Sequence, residues 1–138
     1  MSGPRILIVD DEKVFADTLA QIFRGEGYDC RAVYSAEQAL DAISENWIPD
    51  LTILDVMLPG MNGIELAIGL KATHPSVAVM MISGQLATSG LVEMAAQKGH
   101  LFSIFPKPFP VPELLESASK MLARVPPSTP PQNPRMLN

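Results

Sequence analysis

Leu51-Thr52-Ile53-Leu54-Asp55-Val56-Met57-Leu58-Pro59-Gly60-Met61-Asn62-Gly63 is an apolar run interrupted by one carboxylate and closed by a Pro-Gly turn. A short apolar run up to Leu54, with Thr52 its one polar residue, marks a strand covered on both faces rather than a helix. Asn62 with Glu65 three residues on has the pattern of a capping box, so a helix opens directly after the turn. Strand, tight turn and helix in that order put Asp55 at the mouth of a sheet, its side chain free to meet a ligand. The fold and the function depend on what else converges on Asp55.

Working outward, the same unit recurs. Ile6-Leu7-Ile8-Val9 breaks abruptly into Asp10-Asp11-Glu12, and Phe15, Leu19, Ile22 and Phe23 then recur at helical spacing, with Gly25 and Gly27 at the helix end. Cys30, Ala32 and Tyr34 alternate with Asp29, Arg31 and Val33 in a weaker strand. Ser35 and Gln38 cap a helix predicted to carry Ala36, Ala39, Leu40, Ile43 and Trp47 on one face and to end at Pro49. The helix after Asn62 covers Leu66, Ala67 and Leu70, and His74-Pro75 stops it. Val77-Ala78-Val79-Met80-Met81-Ile82 is another buried-type strand, ending at Ser83-Gly84. A shorter helix is predicted over residues 88–98, with Leu91, Met94 and Ala95 inward, and a last strand over residues 101–105 runs into Pro106-Lys107-Pro108. Pro112 suits the first turn of a final helix with Leu114, Leu115, Ala118, Met121 and Leu122 facing the core. Five strand–helix alternations with short connections give an α/β fold with a parallel sheet.

The chain of 138 residues is one domain by length, with 47% apolar and 18% charged residues. Residues 5–124 carry the folded part. Residues 125–138, rich in proline, cannot build a core and are expected to be an extended tail. A net charge of −5 disfavours nucleic-acid binding through the phosphate backbone, and there is no helix-turn-helix pattern or basic stripe. No apolar run is long enough for a bilayer, no signal peptide precedes the first strand, and Cys30 is alone, so a cytoplasmic location is expected. Cys30 reads as a small strand residue. His74 and His100 lack neighbouring ligands and are assigned no role.

In open parallel sheets, ligands sit beyond the carboxyl ends of the strands. The polar residues there are Asp10 and Asp11, Asp55, Ser83 and Lys107, delivered by four strands. Singly, each has an ordinary explanation: acids at a helix start, a serine in a turn, a solvated lysine. Together on one rim they fit coincidence poorly. Carboxylates about 5 Å apart repel by roughly 3 kcal/mol at an effective dielectric near 20. Such a cluster binds a cation, takes up a proton or is compensated by the lysine. Oxygen donors without Cys or His select Mg²⁺, or Mn²⁺, over zinc. Beside such a metal, the Asp55 carboxylate could attack an incoming phosphoryl group, with Ser83 and Lys107 holding its remaining oxygens.

The segments ILIVDDE at 6–12, PDLTILDVMLPGMNGIEL at 49–66, MISG at 81–84 and PKPF at 106–109 resemble, in this order, the receiver domain of two-component response regulators. The resemblance covers residues 5–124. It implies a flavodoxin-like fold: a doubly wound, five-stranded parallel sheet of order 2-1-3-4-5 with five helices. It implies phosphoryl transfer from a histidine kinase or phosphotransfer protein to Asp55, the chain catalysing only its own phosphorylation and dephosphorylation. Mg²⁺ would be held by Asp11, Asp55 and the backbone carbonyl of Met57, with Asp10 assisting through water. Ser83 would be the hydroxyl switch residue and Lys107 the phosphate-binding lysine. A stand-alone domain would signal by binding a downstream protein through its last two helices; the alternative is the receiver of a larger regulator whose output domain is missing.

Two departures stand out. Ile104 occupies the place where the family has a rotating aromatic residue, so Phe105 or Phe102 is the candidate substitute. Met57 and Gln85 border the acceptor without an acid to orient water, which predicts a long-lived phosphoryl state. Two rival classes lack their signatures. A haloacid-dehalogenase-like phosphatase needs a second acid where Met57 stands, and a flavodoxin-like nucleotide binder needs a phosphate loop after the first strand.

Overall fold

The computed structural model describes residues 3–84, 103–107 and 109–124. The elements run β1 (Arg5–Val9), α1 (Lys13–Gly25), β2 (Asp29–Val33), α2 (Ala36–Ala42), β3 (Leu51–Asp55), α3 (Gly63–Thr73), β4 (Ala78–Ser83), β5 (Ser103–Pro106) and α4 (Val111–Arg124). The strands form one five-stranded parallel sheet in the order β2-β1-β3-β4-β5. This is the doubly wound, flavodoxin-like arrangement, with four helices among the described residues. The helix expected over residues 88–98 and the tail after Arg124 lie outside them.

The apolar runs are continuous because the central strands are covered on both sides. Leu7, Val9, Leu54, Val56, Val79 and Met81 point to one face and pack with Ala36, Ala39, Leu66, Ala67 and Leu70 of α2 and α3. Ile6, Ile8, Leu51, Ile53, Met80 and Ile82 point to the other and pack with Ala16, Leu19, Ala20 and Phe23 of α1 and Leu114 and Ala118 of α4. Each such side chain, fully buried, contributes about 1.5–3 kcal/mol. Small residues, Ala16 and Ala20, hold the centre of the α1 face. Phe15 and Ile22, expected inward, lie at its margin, half-buried.

Two local features need separate explanations. Helix α2 stops at Ala42, short of the expected Pro49, because Ser44 and Trp47 bond each other's backbone in a one-residue bridge. The indole draws the chain back to β2, where Trp47 Nε1 donates to Asp29 Oδ2 at 3.0 Å and the Arg31 guanidinium lies 4.2 Å from the ring centre. Thr52, in the middle of β3, is fully buried and its hydroxyl has no hydrogen-bond partner among the described residues. Cys30 fits its reading as a packing residue: burial pushes its thiol up to about 12, so it stays protonated and unreactive.

Candidate functional site

The carboxyl ends of β1, β3, β4 and β5 bring the predicted residues to one rim. Asp10 follows β1, Asp55 ends β3, Ser83 ends β4 and Lys107 follows β5; Asp10, Asp55 and Ser83 are buried. Register explains the convergence. Asp55 pairs with Ile82, one residue before Ser83, and Ser83 pairs with Pro106, one residue before Lys107. The Lys107 N–H then donates to the Ser83 carbonyl at 2.8 Å, fixing the backbone from which the lysine reaches back across the sheet.

The turn after Asp55 is tied to the carboxylate. The Met57 N–H donates to Asp55 Oδ1 at 2.9 Å, while the Met57 side chain is half exposed. Gly60 takes a φ of +81°, open to glycine at little cost, so the chain can reverse toward α3. The expected capping box is present: the Glu65 N–H donates to Asn62 Oδ1 at 2.8 Å, and Glu65 Oε1 accepts from the Asn62 N–H at 3.3 Å. The Gly63 N–H donates to the Val56 carbonyl at 2.7 Å and closes the turn.

One carboxylate oxygen from each of Asp10, Asp11 and Asp55 lies within 4.8 Å of the others. Lys107 Nζ reaches Asp10 Oδ2 at 2.8 Å, Glu12 Oε1 at 2.8 Å and Asp55 Oδ2 at 3.4 Å. Three carboxylates, those of Asp10, Glu12 and Asp55, thus meet one ammonium, and Asp11 adds a fourth acid beside Asp10 and Asp55. Burial, followed by the charge of Asp10, holds the Asp55 carboxyl above the usual range, against the opposing pull of the Met57 N–H and Lys107. Burial tends to lower the Lys107 pKa, but the bonds to Asp10 and Glu12 and the charges of Asp10 and Asp55 prevail and raise it. The lysine is therefore charged at neutral pH, and the cluster still carries excess negative charge. Hard oxygen donors at this spacing suit a divalent cation such as Mg²⁺.

Sequence reasoning missed Glu12, Phe15 and Gly63. Glu12 was read only as one of the acids that favour a helix start; its contact with Lys107 spans 95 residues, which no local pattern reports. Phe15 lies under the same ammonium, with Nζ 4.4 Å from the ring centre. Phe105, the candidate substitute aromatic, lies on the α1 and α4 side, its ring edge-on to Phe109 at 5.6 Å, and Phe109 is edge-on to Phe15 at 5.9 Å. Phe102 and Gln85 lie outside the described residues.

Residues 6–119 match the response regulator receiver domain. The chain belongs to that family. As a receiver domain it is 38% identical over 120 residues to the DNA-binding response regulator MtrA of Mycobacterium tuberculosis, covering 87% of this chain and 51% of MtrA. It is 30% identical over 132 residues to the response regulator MprA of a Mycobacterium species, covering 96% of this chain and 56% of MprA. The chain therefore spans about half the length of the curated relatives it matches. Among solved structures, a CheY-like receiver domain protein from Methanospirillum hungatei aligns with a TM-score of 0.76 at 30% identity, over 88% of this chain and 95% of that one. The receiver domain of NtrX from Brucella abortus aligns with a TM-score of 0.74 at 34% identity, over 86% and 98%. The receiver domain of a two-component system is thus established for this chain by sequence and by fold. No helix among the described residues is long and apolar enough to cross a membrane.

Proposed function

We propose that this receiver domain is a Mg²⁺-dependent phosphoryl acceptor, working in the cytoplasm, in which Asp55 takes the phosphoryl group from a phosphohistidine of a histidine kinase or phosphotransfer protein. One observation carries the reading: the buried Asp55 carboxylate shares an oxygen cluster within 4.8 Å with Asp10 and Asp11 and faces the Lys107 ammonium across 3.4 Å. An Asp55 oxygen attacks phosphorus, the P–N bond breaks, and the imidazole leaves with a proton from solvent. The Met57 N–H, bonded to Asp55 Oδ1, leaves Oδ2 as the oxygen that faces the lysine.

Asp10, Asp11, Asp55 and the Met57 carbonyl would hold Mg²⁺, which supplies charge neutralisation to the incoming phosphoryl group. Lys107 exchanges a carboxylate for a phosphoryl oxygen, and the Ser83 hydroxyl meets another. The chain catalyses only its own modification and its reversal. Its output is a changed surface, read by a downstream protein at the last helices.

Intact mass after incubation with acetyl phosphate and Mg²⁺ tests the reading, wild type against Asp55→Asn. The expected result is one added phosphoryl group on the wild type alone; no gain, or an equal gain on both, overturns it. A second reading, the receiver of a longer regulator, is favoured by the half-length match to MtrA and MprA, of which MtrA is described as DNA-binding. The size of the protein in its native cell, measured by immunoblot, separates the two readings.

A further inference from the structure

We propose that Glu12 is a positioning residue whose hold on Lys107 competes with a phosphoryl group on Asp55 for the ammonium. The proposal rests on the acceptor reading of Asp55.

Glu12 is the N-cap residue of α1, a place where Ser, Thr, Asp or Asn usually accepts from the first-turn N–H groups; its longer side chain makes no capping bond. Its Oε1 instead takes Lys107 Nζ at 2.8 Å, as close as Asp10 Oδ2 at 2.8 Å and closer than Asp55 Oδ2 at 3.4 Å. An ammonium has three N–H groups, and here three carboxylates surround it while the Phe15 ring lies 4.4 Å away. A phosphoryl oxygen on Asp55 competes with these acceptors for the lysine.

The three acids are not equivalent. Asp10 and Asp55 belong to the oxygen cluster that suits a cation; Glu12 does not. A metal drawn to that cluster loosens Lys107 from Asp10 and Asp55 and leaves the tie to Glu12 in place. Glu12 is also the most exposed of the three, with its side chain 66% accessible, so its bond is screened and readily broken. A hold that survives metal binding and yields to a phosphoryl group sets the balance between resting and modified states.

The test is the affinity for fluoroberyllate at saturating Mg²⁺, measured by calorimetry on the wild type, Glu12→Gln, Lys107→Ala and the double variant. Glu12→Gln is expected to bind about two- to fivefold tighter, the span that an exposed ion pair commands, and to bring no gain when Lys107 is already alanine. A gain that persists without Lys107 is bare repulsion between Glu12 and the anion, and it overturns the proposal. Unchanged or weaker binding by Glu12→Gln overturns it too. Absence of fluoroberyllate binding by the wild type is a different failure, that of the acceptor reading itself, and the positioning role falls with it.

Discussion

Gly63 lies so close against Asp55 that a Cβ on the glycine would overlap the aspartate's carbonyl oxygen and stand 2.8 Å from a Leu54 methyl group. The first residue of α3 is thereby packed onto the backbone of Asp55, and the 2.7 Å bond from its N–H to the Val56 carbonyl secures the contact. The helix can approach this closely only with no side chain at that position.

Gly63→Ala tests this packing. The backbone cannot yield as the tip of a flexible side chain would, so a loss of about 1–3 kcal/mol is expected from overpacking. Urea unfolding measures it, and phosphorylation by acetyl phosphate should slow in parallel as Asp55 is displaced. Wild-type stability in this variant would refute the close approach.

The raised pKa of Asp55 makes a prediction about pH in metal-free protein. A carboxyl whose folded pKa exceeds its unfolded value, near 4, contributes stability that is fully present below that value and lost as pH rises through the folded pKa. Asp55→Asn should therefore be more stable than the wild type at neutral pH in a chelator, with the gap closing toward about pH 4. Urea unfolding across that window checks both the sign and the convergence.

A metal bound at the acid cluster would compete with Lys107 for Asp10 and Asp55. Lys107→Ala should bind Mg²⁺ roughly tenfold more tightly, a modest part of the ~4 kcal/mol that unit charges 4 Å apart exert at a dielectric of 20. The same variant should bind fluoroberyllate more weakly, because the anion loses its cation. Calorimetry reads both, and a fall in Mg²⁺ affinity would count against the competition.

Thr52 predicts a stabilising substitution. Its buried hydroxyl finds no partner among the described residues, so Thr52→Val should raise stability by about 1 kcal/mol through relief of that desolvation. Thermal unfolding checks it; a drop in Tm would mean that the hydroxyl is satisfied.

If Asp55 is the acceptor, the half-exposed Met57 two residues on is not an acid that could orient water for attack on it. Phosphoryl loss in a Mg²⁺ chase, followed by intact mass, is expected to take far longer than seconds.

The parts of this fold legible in the sequence were those written in local pattern. Ile6 to Val9, Leu51 to Leu54 and Val79 to Ile82 could be read because strands covered on both faces are apolar without interruption. Asp10, Asp55, Ser83 and Lys107 could be placed on one rim because each terminates such a run and parallel strands end together. The Asn62 and Glu65 pair announced α3 through its own capping bonds. What stayed hidden was set by distant partners. Trp47 leaves its helical register for Asp29 and Arg31, Glu12 reaches Lys107 across the sheet, and Gly63 is required by the packing of Asp55 rather than by its own turn. Ala16 and Ala20 were overlooked because small residues signal a helix-to-sheet contact more weakly than Phe15 or Ile22.

Trp47 is the chain's single tryptophan, anchored to Asp29 at the start of β2. Asp10 lies beyond the opposite end of β1 and Asp55 at the opposite end of β3, roughly 13 Å or more away at about 3.3 Å per residue. Indole fluorescence in this protein is thus an optical gauge of folding set apart from direct contact with any ligand at the far rim. Unfolding curves recorded with and without Mg²⁺ can be compared through this one fluorophore.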